Sequence, residues 1–209
     1  MRRSWILAAV VGLTTVVCAT LARPGPAACE GEAAKPAFVG ADNCKKCHLK
    51  HHKSWKATPL AKAFDVLKPG EAAEKKKAAG LDPATDFCKD AKCLKCHTTG
   101  YGTESGYPAV VEGKEFTEEE KARAEKNAAV TCEACHGPGS LYGPFKKTNE
   151  KFKTEEIVKL GATSPPKAEQ CMTCHAKECP TMPADYAFDF EKAKKSPNMH
   201  EHVPLKFPH

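Results

Sequence analysis

With 209 residues, the chain is long enough for one domain of ordinary size or two small ones. It has 12 Cys and 9 His against 41% hydrophobic and only 7% aromatic residues, so side chains alone are thin material for a core and something else must fill the interior. The formal charge of +6 does not mark a nucleic-acid binder, because Arg2, Arg3 and Arg23 all belong to an N-terminal segment that reads as separable from the folded domain.

That segment, residues 1–28, has the order of a secretory signal peptide. Arg2 and Arg3 are followed by an uncharged apolar run over 5–22, with small residues around Ala22 and Ala28. A retained membrane anchor is the alternative, since the run is just long enough to span a bilayer. Neither Cys18 nor Cys29 follows a good lipobox, and Arg2-Arg3 fits a twin-arginine signal weakly. Residues 29–37 read as a flexible lead-in and 38–209 as a single domain, expected outside the cytoplasm, periplasmic or extracellular.

Within that domain a helix is expected over 54–67, stopped by Pro69-Gly70. Lys75-Lys76-Lys77 reads as a solvated face, or more sharply as part of a lysine rim that docks an acidic redox partner. Thr117-Glu118-Glu119-Glu120 is a capping box opening a helix to about Asn127. Thr154-Glu155-Glu156 opens a shorter one that Gly161 can close. A last helix is expected over 186–195, ended by Ser196-Pro197. Gly and Pro cluster over 100–108 and 137–144, and alternating β-pattern is nearly absent. The fold class expected is mainly α and loop-rich.

One pattern repeats four times: Cys44-Lys45-Lys46-Cys47-His48, Cys93-Leu94-Lys95-Cys96-His97, Cys132-Glu133-Ala134-Cys135-His136 and Cys171-Met172-Thr173-Cys174-His175. Chance would place about 0.03 such matches in a chain of this composition. C-x-x-C-H is the attachment signature of c-type haem. Thiols at i and i+3 share one side of a helical turn, where they can add to the two vinyl groups of a porphyrin edge. The histidine at i+4 then offers its imidazole to iron. Zinc sites need two paired ligand sets, and a thioredoxin-like dithiol expects one motif in a βαβ setting, so neither rival fits. Four haem c groups, held by eight cysteines and with His48, His97, His136 and His175 as proximal ligands, would form the core.

The stretches between the pentads narrow the class. Ser54-Trp55-Lys56, Leu81-Asp82-Pro83-Ala84, Thr98-Thr99-Gly100-Tyr101-Gly102, the Gly137-Pro138-Gly139 that follows the third pentad, and Met199-His200-Glu201-His202 together resemble the tetrahaem cytochromes of the c-554 type, known from ammonia oxidisers. The resemblance runs from about residue 40 to 202. It implies a mostly helical fold with closely stacked haem pairs. It also implies electron transfer from a dehydrogenase, such as a hydroxylamine oxidoreductase-like enzyme, to a later cytochrome or quinone-linked carrier. It implies a second haem without a distal ligand, for which nitric oxide reduction has been discussed, with Thr181, Met182 and Pro183 falling roughly where the family covers that haem. It places a ligand of the first haem at His200 or His202. Related tetrahaem proteins also stack into extracellular filaments.

Two family ligands are missing. The position that serves the third haem is Leu60 here, and the region that serves the fourth reads Leu141-Tyr142-Gly143-Pro144-Phe145-Lys146, without histidine. His51 and His52 follow His48 too closely to reach their own haem's far face. They reach a neighbouring haem or another subunit, or else are plain surface histidines; His209 at the terminus is a further candidate. Cys88 and Cys179 are left over, as a disulfide or as two free thiols. Three functions follow in order: an electron carrier, a nitrogen-oxide reductase at an open haem, and a filament subunit.

Overall fold

The computed structural model describes residues 34–205, apart from 177, 178, 180 and 184. The signal segment, Cys18, Cys29 and His209 lie outside the described residues. Ten helices, all short, are joined by long irregular segments, and no strand occurs among the described residues.

The first pentad begins on α1 (Ala41–Cys44), and α2 (Leu49–Lys56) starts directly after its histidine. The helix expected over 54–67 is instead the end of α2 followed by two 3-10 turns, Pro59–Lys62 and Asp65–Leu67. Pro59 explains the break: proline forces its predecessor out of the helical region, and Thr58 is extended at ψ 161°. Next comes α3 (Ala73–Ala78), which corrects the reading of the lysine run. Lys75 and Lys77 are exposed, but Lys76 is 7% exposed, donates from Nζ to the Lys68 carbonyl at 2.6 Å and lies 5.3 Å from the Phe87 ring centre. Three consecutive helical residues span most of a turn, so one of them points inward.

The second and third pentads lie on α4 (Ala91–His97) and α6 (Cys132–His136). Between them, α5 (Glu118–Asn127) carries the capping box the sequence announces: Thr117 Oγ1 accepts from Glu120 N at 3.2 Å, and Glu120 Oε2 accepts from Thr117 N at 2.9 Å. The Gly/Pro-rich stretch after the third pentad turns helical at α7 (Tyr142–Thr148). It is followed by α8 (Thr154–Lys159), ended near Gly161 at φ +97°, and α9 (Ala168–Met172), which opens the fourth pentad. The helix expected over 186–195 is only α10 (Phe190–Ala193). Asp189 caps it by accepting from Lys192 N at 3.0 Å, so residues 186–189 stay outside the helix.

The apolar core is small and split. One cluster joins Ala41, Trp55 and Ala129 with Leu60 and Cys132; the other joins Leu67, Leu94 and Tyr107 with Phe64, Phe87 and Cys93. Fully burying a residue such as Leu94, 0% exposed, contributes about 2 kcal/mol. Each cluster abuts a haem cysteine, as expected where porphyrin supplies the missing interior. Buried polar contacts tie the segments between pentads together. Thr99 Oγ1 donates to the Ala129 carbonyl at 2.7 Å and accepts from Thr131 N at 2.8 Å, and Trp55 Nε1 donates to the Val130 carbonyl at 3.0 Å.

Candidate haem-binding sites

Each pentad forms one helical turn. The amide of His48 donates to the Cys44 carbonyl at 2.9 Å and that of His175 to the Cys171 carbonyl at 2.9 Å, while the second and third pentads sit wholly inside α4 and α6. This is the backbone that thioether attachment to one porphyrin edge requires. Among the described residues no three Cys, His, Asp or Glu side chains converge as a bare metal ion would require. The four helical turns, each pairing two thiols with an imidazole, fit four haem c groups.

The pentads are not arranged in chain order. The Cys44 thiol is pushed up by its hydrogen bond to Cys132, so the first and third pentads touch, and α1 packs on α6. Next, α6 packs on α9, where Cys171 and Cys174 add their charge to the burial that raises Cys135 to about 11. Cys174 Sγ lies 4.0 Å from the carbonyl oxygens of Lys95 and Cys96, and its thiol raises that of Cys96 through a hydrogen bond. The row in space is first, third, fourth, second. Nothing local in the sequence carries that order.

The proximal imidazoles are oriented by their second nitrogens. His97 Nδ1 is hydrogen-bonded to the Ala63 carbonyl, and since a carbonyl only accepts, Nδ1 bears the proton and Nε2 keeps a lone pair. His175 Nδ1 is 2.9 Å from Tyr186 Oη, and its ring stacks on Phe188 with centres 4.8 Å apart. Burial holds the His175 imidazole below its ordinary pKa, which favours the neutral form that binds a metal.

Of the remaining candidates, His52 is no surface histidine. It is 5% exposed, with Nε2 3.5 Å from Asp42 Oδ1 and its ring against Trp55. Burial lowers its pKa, with Asp42 pulling the other way. His51 is half-buried and accepts from Val203 N at 3.4 Å. His200 lies between His51 and the third pentad, its ring centre 5.3 Å from that of His51 and 6.2 Å from that of His136. His202 is exposed, with Nε2 3.3 Å from the Lys194 carbonyl. Met182 donates its amide to the Cys179 carbonyl at 3.2 Å, and the charge of Cys179 adds to the burial that raises Cys93 and to the Cys174 hydrogen bond that raises Cys96, which sets this segment beside the second pentad.

Cys88 and Cys179 are not joined: both remain thiols. Cys88 is turned toward the Leu67–Leu94–Tyr107 cluster, where burial pushes it up to about 11, while Cys179 Sγ sits 3.5 Å from Thr181 Oγ1.

A residue that sequence reasoning passed over holds the first and third pentads together. Glu133, 2% exposed, accepts from Gly40 N at 2.7 Å, Gly139 N at 2.7 Å and Val39 N at 3.0 Å. Its signal was present, as an acid within a pentad. Beside it, Gly137 at φ +78° has no room for a Cβ, which would collide with the Gly161 carbonyl oxygen.

Residues 43–137, which hold the first three pentads, match the family model "Cytochrome c554 and c-prime". The chain is 33% identical over 198 residues to cytochrome c-554 of Nitrosomonas europaea, covering 83% of this chain and 79% of that protein. It belongs to the cytochrome c554 family. It is also similar to the solved reduced-state structure of cytochrome c554 from Nitrosomonas europaea, with a TM-score of 0.68 and 31% identity over 83% of this chain and 89% of the other. Within the family the chain is a multihaem electron-transfer cytochrome carrying four c-type haems. The helical, loop-rich fold read from sequence agrees with this, and its redox partners are proteins.

Proposed function

We propose that the chain is an exported electron carrier in which each pentad tethers one haem. Cys44 and Cys47, Cys93 and Cys96, Cys132 and Cys135, and Cys171 and Cys174 form the thioethers; His48, His97, His136 and His175 are the proximal ligands. The haems supply reversible one-electron chemistry at iron. The observation that carries the reading is the unbroken row of pentads, each touching the next, which gives electrons a path through the molecule. Around that row the protein fixes imidazole tautomers, as Ala63 does for His97, and supplies dry surroundings through Leu94, Tyr107 and Trp55. Cys47, at one end of the row, is exposed and offers an edge for a partner. The upstream partner proposed is a hydroxylamine oxidoreductase-like dehydrogenase, and the downstream one a cytochrome or quinone-linked carrier. Residues 1–28 are proposed as the export signal, which places the chain in the periplasm or outside the cell.

A second reading rests on a specific contrast. Among the described residues no second histidine ring lies against His97 or His175; the ring neighbours of His175 are Tyr186 and Phe188. The haem on His97 is proposed as five-coordinate, where a nitrogen oxide can bind. His51 and His52 are engaged within their own chain, His51 with Val203 N and His52 with Asp42.

Anaerobic reductive titration of the haem-loaded protein separates the two readings. A carrier takes up four electron equivalents per chain and returns them to a one-electron acceptor such as ferricytochrome c. Sustained consumption of nitric oxide by the reduced protein, many turnovers per chain, would favour the reductase.

A further inference from the structure

We propose that the buried carboxylate of Glu133 tunes the reduction potentials of the first and third haems, holding both below the values they would have beside a neutral side chain. This rests on haem attachment at those two pentads. Glu133 is 2% exposed. Both of its oxygens accept: Oε1 from Gly139 N at 2.7 Å and Val39 N at 3.0 Å, Oε2 from Gly40 N at 2.7 Å and Val39 N at 3.1 Å. Every partner is an amide donor, so the side chain is bound as a carboxylate. Among the described residues no lysine, arginine or histidine forms an ion pair with it. The amides bring dipoles but no net charge, and the interior keeps an uncompensated anion.

That anion is built into the junction of two pentads. Glu133 follows Cys132 directly, and Cys132 is hydrogen-bonded to Cys44. Its field reaches both sides of the junction. The Cys44 thiol, raised first by that hydrogen bond and by burial, is pushed further by Glu133, and Tyr142, raised first by burial, is pushed the same way. Glu133 is also the only acid inside a pentad; the first pentad carries Lys45 and Lys46 at the same two positions, both exposed to water that screens them. When a redox partner delivers an electron, ferric iron becomes ferrous and the haem gains one negative charge. A fixed anion nearby opposes that gain, and opposes it more strongly in a dry interior than in water. Burial and the local dielectric are among the means by which a protein places a haem potential.

Spectroelectrochemical titration of the haem-loaded protein tests this, with the four haems told apart by their ring-methyl proton resonances. In Glu133→Gln, which keeps the shape and one acceptor oxygen, the potentials of the first and third haems should shift upward while those of the second and fourth stay in place. Glu133→Asp restores the charge and should bring both potentials back toward wild type, a recovery that a purely structural role would not give. A measurement on wild type stands apart from the folding of either variant. With isotope-labelled glutamate, the reduced-minus-oxidised infrared spectrum should show a carboxylate stretch that shifts as the first and third haems are reduced, and Glu133 is the only buried glutamate among the described residues. The inference is overturned if Glu133→Gln leaves both potentials unchanged or raises all four alike, if Glu133→Asp behaves as Glu133→Gln does, or if no carboxylate band follows those two haems. Wild-type protein holding fewer than four haems by pyridine haemochrome would instead strike the attachment reading itself.

Discussion

The two ends of the row of pentads differ in what surrounds them. Around the first and third, the chain gathers His51, His52, His200 and His202 and pins the backbone with the buried carboxylate of Glu133. Around the second and fourth, it gathers aromatic and aliphatic bulk: Tyr107, Phe64 and Leu94 on one, Tyr186 and Phe188 on the other. One region is rich in imidazole, the other in apolar and aromatic bulk. The same attachment motif therefore sits in two different surroundings, and the difference lies outside the motif.

The largest test of that contrast is ligand binding. Carbon monoxide added to the reduced, haem-loaded protein should bind on the His97 side and leave the His136 iron unligated; a carbonyl found above His136 would invert the comparison. Next, Glu133→Ala leaves the buried amides of Gly40 and Gly139 and the half-buried amide of Val39 without an acceptor and should cost about 4 kcal/mol in denaturant unfolding. The haem signals of the first and third sites should be disturbed while the others stay intact. Leu94→Ala opens a cavity in the opposite region, should cost about 3 kcal/mol, and should disturb the second haem instead. A global response to either variant would show that the regions are not separable.

The smallest effect concerns acid. His52 titrates below its ordinary value when folded, so the unfolded chain takes up its proton first. The stability that neutral His52 provides is present at pH 7 and is lost as pH falls below about 6.5 and through the lower folded value. Unfolding measured at pH 7 and pH 5 should show His52→Gln losing less stability on acidification than wild type; equal losses would mean His52 does not couple.

What the sequence made legible was local. The pentads, the Thr117–Glu120 box and the short helix from Thr154 are set by residues three and four apart, and all appear as expected. The misreadings share a cause as well. A helix drawn through Pro59 ignored a breaker in mid-run, and one begun at Tyr186 missed that Asp189 is the better cap. Lys76 was read by its charge rather than by its place on a turn. The order of the pentads in space, and the meeting of His200 with His136, depend on contacts between segments far apart in the chain and have no local trace.

The most direct test is peptide mapping by mass spectrometry of mature protein made in a host that matures c-type cytochromes. The account predicts one haem on each of the four peptides carrying Cys44–His48, Cys93–His97, Cys132–His136 and Cys171–His175, and none on the peptides carrying Cys88 or Cys179. A pentad peptide recovered without its haem, or a haem on either of the other cysteines, would contradict it.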